Sequence, residues 1–280
     1  MGLIPSALLI MGVMGILFGI GLAIASRFFH TESDSRVEQI IACLPGANCG
    51  ACGFAGCEGY AKAVVEGTAA PDLCVPGGPK AALGIGEIMG VAVDVNKQPV
   101  RAVVHCQGGT DRCGQRFAYN GLADCRAANL VQGGPKNCEY GCLGYGTCMA
   151  ACSFDAIIMG ADRIPVIDWD KCTACGACVR ACPRALIDLL PTNISHVVAC
   201  SSQDKGKAVK DVCSVGCIAC WICVKNAPEG AINKKGNLAV LTYPAGCDYT
   251  QAADKCPMHC FVKVEAAGSS AQASLQALSH

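Results

Sequence analysis

Aromatic residues are scarce in this sequence, with two Trp, six Tyr and seven Phe among 280 residues. That supply offers no platform on which bases could stack. Charge of one sign is absent too: Lys plus Arg and Asp plus Glu each total 22, so no basic field points to nucleic acid. No Ser–His–Asp set and no paired carboxylates stand out, and the five histidines are scattered. His105 beside Cys106 and His259 beside Cys260 read as ordinary polar residues, so no catalytic residue is assigned. A conventional core is thin as well. Much of the 52% apolar content is Cys, Ala and the first 29 residues, which leaves inorganic groups to fill and crosslink the interior.

Cysteine is what the chain has, 24 of them. Such usage marks either a disulfide-stapled secreted domain or a metal protein in a reducing compartment. Grouping in C-x2-C and C-x2-C-x2-C sets favours metal, and "CTACGACVRACP" matches the bacterial ferredoxin run at every cysteine. Four thiolates would also suit structural zinc, the alternative from a different class.

The segment "MGLIPSALLIMGVMGILFGIGLAIASRFF" has no charged side chain before Arg27. A helix from Pro5 to Ala25 would span roughly 30 Å, the thickness of a bilayer's hydrocarbon. The rival reading is a signal peptide cut near Ala23-x-Ala25. No Lys or Arg precedes the apolar run, however, and export would put cluster cysteines in an oxidising space. The expectation is a single-pass anchor in the inner (cytoplasmic) membrane, with the soluble part on the cytoplasmic side. Gly12, Gly15 and Gly19 on one face would let another helix approach closely.

The first cysteine group, "NCGACGFAGCEGYAKAVVEG" followed by "CVPGG", gives the candidates Cys49, Cys52, Cys57 and Cys74. Glycines between them let backbone wrap a cluster and aim amides at its sulfurs. Residues 58 to 66 read as a helix stopped by Gly67, and Cys43 as a buried free thiol. Gly84-x-Gly86 is out of register for a dinucleotide fingerprint, which leaves a packing helix followed by a strand.

A shift of 75 residues lays Cys125, Cys138, Cys142, Cys148 and Cys172 on Cys200, Cys213, Cys217, Cys223 and Cys247. Two related ferredoxin-like units follow. In two-cluster ferredoxins the fourth cysteine of each run binds the other cluster. Crossing assigns Cys172, Cys175 and Cys178 with Cys152, and Cys142 and Cys148 with Cys182. Tyr145 holds the middle position of that second set, and Cys138 is the expected replacement. In the later unit Cys217, Cys220 and Cys223 pair with Cys256. Ala227, where a ligand for a second cluster would stand, marks that cluster as lost. Sixteen cysteines thus make four [4Fe–4S] sites, a minimum. Cys106, Cys113, Cys125, Cys200, Cys213, Cys247 and Cys260 are further candidate ligands. Cys106, Cys113 and Cys125 with Cys138 would make a fifth set, but would leave Cys142, Cys148 and Cys182 one ligand short.

The order of apolar anchor, "GANCGACGFAGC", "HCQGG", "DCRAANLVQGGPKNCEYGCLGYGTC", ferredoxin run and "VACSSQDKGKAVKDVCSVGCIAC" resembles the B subunits of Rnf complexes. These are membrane-bound, ion-translocating electron transport complexes of bacteria and some archaea. The resemblance covers residues 3 to about 262. It implies an iron–sulfur subunit that receives electrons from soluble ferredoxin and passes them to integral membrane and flavin-bearing subunits, with NAD served elsewhere in the complex. The same relay would serve a homologous complex that reduces a redox-sensing transcription regulator, or one linked to a membrane cytochrome. By itself the chain would be no enzyme, only part of a translocating oxidoreductase.

The expected fold class is a single N-terminal transmembrane helix followed by small α+β iron–sulfur domains. The expected divisions are an anchor at 1–29, a linker at 30–48 and a four-cysteine domain at 49–80. A connecting region with extra cysteines at 81–137 leads to a two-cluster ferredoxin-like unit at 138–190. A linker at 191–212, a degenerate ferredoxin-like unit at 213–262 and a flexible tail at 263–280 complete the chain.

Overall fold

The computed structural model describes residues 3–28, 34–94, 98–244 and 246–264, so nearly all of the expected tail lies outside the described residues. Helix α1 (Leu3–Phe28) has no polar stripe. The side chains from Leu9 to Ile24 are exposed, and the Leu9–Arg27 stretch has a mean hydropathy of 2.3. At 1.5 Å per residue α1 is about 39 Å long, enough to cross a bilayer.

Three helices build the next domain: α2 (Ser35–Cys43), α3 (Gly56–Val65) and α4 (Gly78–Met89). Asp34 starts α2 by accepting the Arg36 amide at 2.9 Å. Val37, Ile40 and Leu44 then bury against Tyr60, Val64 and Ile85. Gly67 follows α3 with φ 73°, and Gly90 closes α4 with φ 67°. Gly84 and Gly86 are packing positions. A Cβ on Gly86 would stand 2.6 Å from Val93 Cγ2, and one on Gly84 3.1 Å from Cys43 Sγ.

The remaining chain runs β1 (Val100–Val104), α5 (Cys125–Leu130), α6 (Thr147–Ala150), β2 (Ile157–Met159), β3 (Pro165–Ile167), α7 (Ala177–Ala181) and β4 (Ile187–Pro191). It continues with β5 (His196–Val198), α8 (Gly206–Val212), α9 (Ile222–Lys225), β6 (Ile232–Lys235), β7 (Leu238–Leu241), α10 (Thr250–Asp254) and β8 (Phe261–Lys263). The strands form antiparallel pairs, β1 with β4, β2 with β3, β5 with β8 and β6 with β7. Val or Ile recurs in every pair, and Arg163 and Gly236, both at positive φ, turn the two hairpins.

The repeat is visible in this pairing. In each unit an early strand closes on the strand that follows a Cys-Pro step. His105 N donates to Leu186 O at 2.8 Å in the first unit, and Ala199 N to Cys260 O at 2.8 Å in the second. Each unit therefore begins upstream of its ferredoxin run, at β1 and at β5. The equivalence this sets is Cys106 with Cys200, whereas the constant 75-residue shift laid Cys125 on Cys200. A long loop between Cys106 and Cys138 has only a short counterpart between Cys200 and Cys213, and a constant shift cannot register an insertion.

The apolar interior is divided into small clusters, most with cysteines packed in or against them. Such a core depends on what those thiols hold.

Candidate functional site

Cys49, Cys52, Cys57 and Cys74 line one cavity with an empty volume of about 320 Å³. Asn48, Gly50, Gly53 and Gly56 all take positive φ there, which winds the loop tightly. Asn48 Oδ1 accepts the Cys57 amide at 2.8 Å and locks that loop onto the start of α3. Tyr60 lies fully buried beneath, its hydroxyl donating to Ala70 O at 2.9 Å. Burial pushes the Cys74 thiol up. Cys43, the last residue of α2, does not line this cavity; it is half-buried rather than buried as expected, with its sulfur beside Gly84 of α4.

Two cavities in the first repeat unit follow the crossed pattern. Cys152 joins Cys172, Cys175 and Cys178 around about 320 Å³, with the loop bent at Ala174 and Gly176. The other cavity, about 380 Å³, is lined by Cys125, Cys142, Cys148 and Cys182. Here the structure differs from the expectation that Cys138 replaces Tyr145, because Cys138 lines a different cavity. Tyr145 points elsewhere, edge-on to Tyr119 at 5.4 Å and under the Arg163 guanidinium at 5.5 Å. Cys125 arrives through a local clasp. Asp124 accepts the Arg126 and Ala127 amides, capping α5, and also accepts the Thr147 hydroxyl at 3.0 Å. Thr147 Oγ1 accepts the Cys125 amide at 2.7 Å, which ties α5 to the first residue of α6. Burial raises Cys142 to about 12, and Cys148 and Cys178 to about 11. Filling these sites with metal would therefore displace protons.

In the second unit Cys217, Cys220, Cys223 and Cys256 line a cavity of about 380 Å³, and Cys260 joins them. Ala219 and Trp221 take the left-handed conformation that Gly144 and Gly146 take in the first unit. The Cys260 thiol hydrogen-bonds Cys217 and Cys256, holding them down at about 6 and about 5. The position at which the sequence leads one to expect no second cluster is filled by side chains. Counted from Cys182-Pro183 and Cys256-Pro257, Tyr249 and Ala252 stand where the first unit has Cys175 and Cys178. Both are buried, and Ala227 packs against their cluster. Cys247 is held aside, hydrogen-bonded to Tyr249.

Cys106, Cys113, Cys138, Cys200 and Cys213 line a fifth cavity, of about 390 Å³. The cavities adjoin one another. Cys148, Cys152, Cys172, Cys178 and Cys182 share one apolar cluster. Arg180 on α7 donates to Cys175 O and to Cys49 O, both at 3.3 Å, bridging the first unit to the N-terminal site. Of the histidines, His105 spans β1 and β5 through Val198 O at 2.9 Å and faces Asp188 at 3.4 Å, a structural position.

The donor sets suit iron–sulfur clusters. Four cavities are each lined by at least four cysteines, the donor set of a [4Fe–4S] cluster, and the two in the first repeat unit follow the crossed ferredoxin order. Family models agree: residues 44–76 match the FeS family ("Fe-S cluster") and residues 165–188 match the "4Fe-4S binding domain" family. The chain is 45% identical over 251 residues to the B subunit of the Na(+)-translocating ferredoxin:NAD(+) oxidoreductase complex of Acetobacterium woodii, covering 90% of this chain and 75% of that protein. It is 41% identical to the B subunit of the ion-translocating oxidoreductase complex of Methanosarcina acetivorans, across 81% of this chain and 86% of the relative. A proton-translocating counterpart from Clostridium ljungdahlii is 40% identical, with 89% of each chain covered.

The chain belongs to the Rnf complex B subunits.

As a member of that family it is an iron–sulfur protein with a helix long and apolar enough to associate it with a membrane, within a multi-subunit complex. Fifteen of the sixteen cysteines first singled out line the four predicted cavities, with Cys125 standing where Cys138 was expected. Asn48 and Arg180 were not singled out by sequence reasoning. Asn48, one residue before the first cysteine, carried a local signal. Arg180 carried none, because its partner lies 131 residues away.

Proposed function

We propose that this chain is the one-electron relay of its complex. It takes electrons from reduced soluble ferredoxin on the cytoplasmic side and delivers them towards flavin-bearing and integral membrane subunits, whose work is coupled to NAD and to ion movement. The names of the Acetobacterium and Clostridium relatives, ferredoxin:NAD(+) oxidoreductase subunits, support that donor and acceptor. Four [4Fe–4S] ligand sets are assigned: Cys49, Cys52, Cys57 and Cys74; Cys125, Cys142, Cys148 and Cys182; Cys152, Cys172, Cys175 and Cys178; Cys217, Cys220, Cys223 and Cys256.

Each bound cluster would supply one-electron redox chemistry with no substrate bond broken. The chain's own residues hold, space and shield the sites. Left-handed loop residues wrap each quartet, and in the first unit one apolar cluster packs round Cys148, Cys152, Cys172, Cys178 and Cys182. The observation that carries the reading is the continuity of the sites. Arg180 clasps the N-terminal quartet to the first unit, and one apolar cluster spans that unit's two quartets.

The test is Cys57→Ser in the complete complex in oxygen-free membranes. Ferredoxin-driven NAD reduction should fall to background while the clusters of the two repeat units are still reduced by ferredoxin, read by EPR. Unchanged NAD reduction would refute a relay through the N-terminal site.

A further inference from the structure

The fifth cavity lies at the junction of the two repeat units. Its lining cysteines fall into equivalent pairs. Cys106 and Cys200 each follow the early strand of their unit, β1 and β5. Each sulfur accepts an amide at 3.3 Å, Cys106 from Cys142 and Cys200 from Cys217. Cys138 and Cys213 each begin a Cys-x2-Gly-Cys step, Cys138-Glu-Tyr-Gly-Cys142 and Cys213-Ser-Val-Gly-Cys217. Two thiols from each unit thus face one space of about 390 Å³.

Small residues keep that space open. Gly108, Gly141, Ala199 and Gly216 line it, and a Cβ on Gly108 would stand 3.2 Å from Cys213 Sγ. Lys136 also lines it and is buried, with its ammonium donating to Gly108 O and Cys142 O. Carbonyls solvate a buried ammonium without neutralising it, and such a charge is costly unless an anion stands near. Thiolates in this cavity would supply the negative charge.

We propose that Cys106, Cys138, Cys200 and Cys213 hold a further [4Fe–4S] cluster shared by the two units, with Lys136 as its counter-charge. This rests on the iron–sulfur reading above. Cys113 is the odd thiol of the five. It forms an isolated β-bridge with Cys213, and the two thiols hydrogen-bond each other. Thiolates on different irons of one cubane stand farther apart than that. Cys260 is the corresponding spare of the second unit's own site, set where the first unit has Leu186.

The consequence is a closed gap. The Cys142 amide joins the shared site to the cavity of Cys125, Cys142, Cys148 and Cys182. The Cys217 amide joins it to the cavity of Cys217, Cys220, Cys223 and Cys256. With it filled, the second unit connects through the first to the N-terminal quartet. An electron entering the shared site from one neighbour leaves to the other, so nothing is consumed there.

The experiment uses full-length protein purified without oxygen, with iron and acid-labile sulfide counted and EPR recorded. Cys138→Ser and Cys213→Ser should each lose one cluster's iron and sulfide, and the double variant no more than either single. Cys113→Ser should keep the full count. Lys136→Met should keep the count while moving one cluster's midpoint potential negative in a redox titration. Unchanged iron in both single variants, or a double variant that loses twice as much, would overturn the shared site. An unmoved potential in Lys136→Met would overturn the counter-charge. Protein without any iron would refute the relay reading instead, which keeps the two failures apart.

Discussion

Truncating Tyr249 to Ala tests whether a buried phenol ring holds the second unit together at the position where the first unit has Cys175. Tyr249 stands at the chain position of Cys175, is 2% exposed, and packs with Ala252 and Ala231 in the unit's apolar cluster. Its ring meets Tyr243 edge-on at 6.0 Å, and its hydroxyl oxygen accepts the Tyr243 amide at 3.2 Å. Removing a buried aromatic ring costs about 3–5 kcal/mol, and the orphaned amide adds about 1 kcal/mol. Tyr249→Phe leaves the ring and should cost only about 0.5–1.5 kcal/mol. With a urea slope of about 2 kcal/mol per M, the Ala variant's midpoint should fall by roughly 2–3 M.

The assay is an oxygen-free urea titration followed by fluorescence of Trp221, in a Trp169→Phe background that leaves Trp221 as the remaining Trp. If the Ala variant stays within about 1 kcal/mol of its parent, or the Phe variant is as damaged as the Ala variant, the phenol ring is not what fills the vacated cluster position.

Two further outcomes follow from the cysteine placement. Cys125→Ser should remove the cluster of Cys142, Cys148 and Cys182, read as lost iron and a lost EPR signal, while Tyr145→Phe leaves both unchanged. Equal iron in Cys125→Ser and the parent would return that ligand position to another thiol. Ala227→Cys should not add a cluster to the second unit, because Tyr249 and Ala252 occupy the space its other ligands would need. An anaerobic iron count raised by one cluster would contradict this.

The anchor, the N-terminal quartet and the crossed ferredoxin ligands were legible because their signals are local. A run without charge, a C-x2-C step and a Cys-Pro step each carry their meaning within a few residues. Cys125 was legible as a further candidate ligand but not as the partner of Cys142, Cys148 and Cys182, since what brings it there is the Asp124–Thr147 clasp, between residues 23 apart in the chain. Cysteine spacing favoured Cys138 on proximity alone, and proximity in sequence is a poor guide where loops decide the approach. The 75-residue shift registers Cys138, Cys142 and Cys148 with Cys213, Cys217 and Cys223 but not Cys106 with Cys200, because the loop after Cys106 is longer than the loop after Cys200. Only hydrogen bonds tying β1 and β5 to the ends of their units set the true correspondence.

That correspondence bears on how the fold is held together. Each unit's apolar cluster is too small to stand as an ordinary core, and the strands come only in pairs. A ligand set drawn from both units would crosslink them as a disulfide or a structural metal does, so one inorganic group would both complete the electron path and fix the junction across which it runs. The second unit's lost cluster fits the same logic. Its position lies within one unit, where Tyr249 fills the space and supports Tyr243, which packs in one apolar cluster with Val103 and Leu190 of the first unit. The cavity at the junction holds five cysteines, and Gly108, Gly141 and Gly216 line it, with a Cβ on Gly108 only 3.2 Å from Cys213 Sγ.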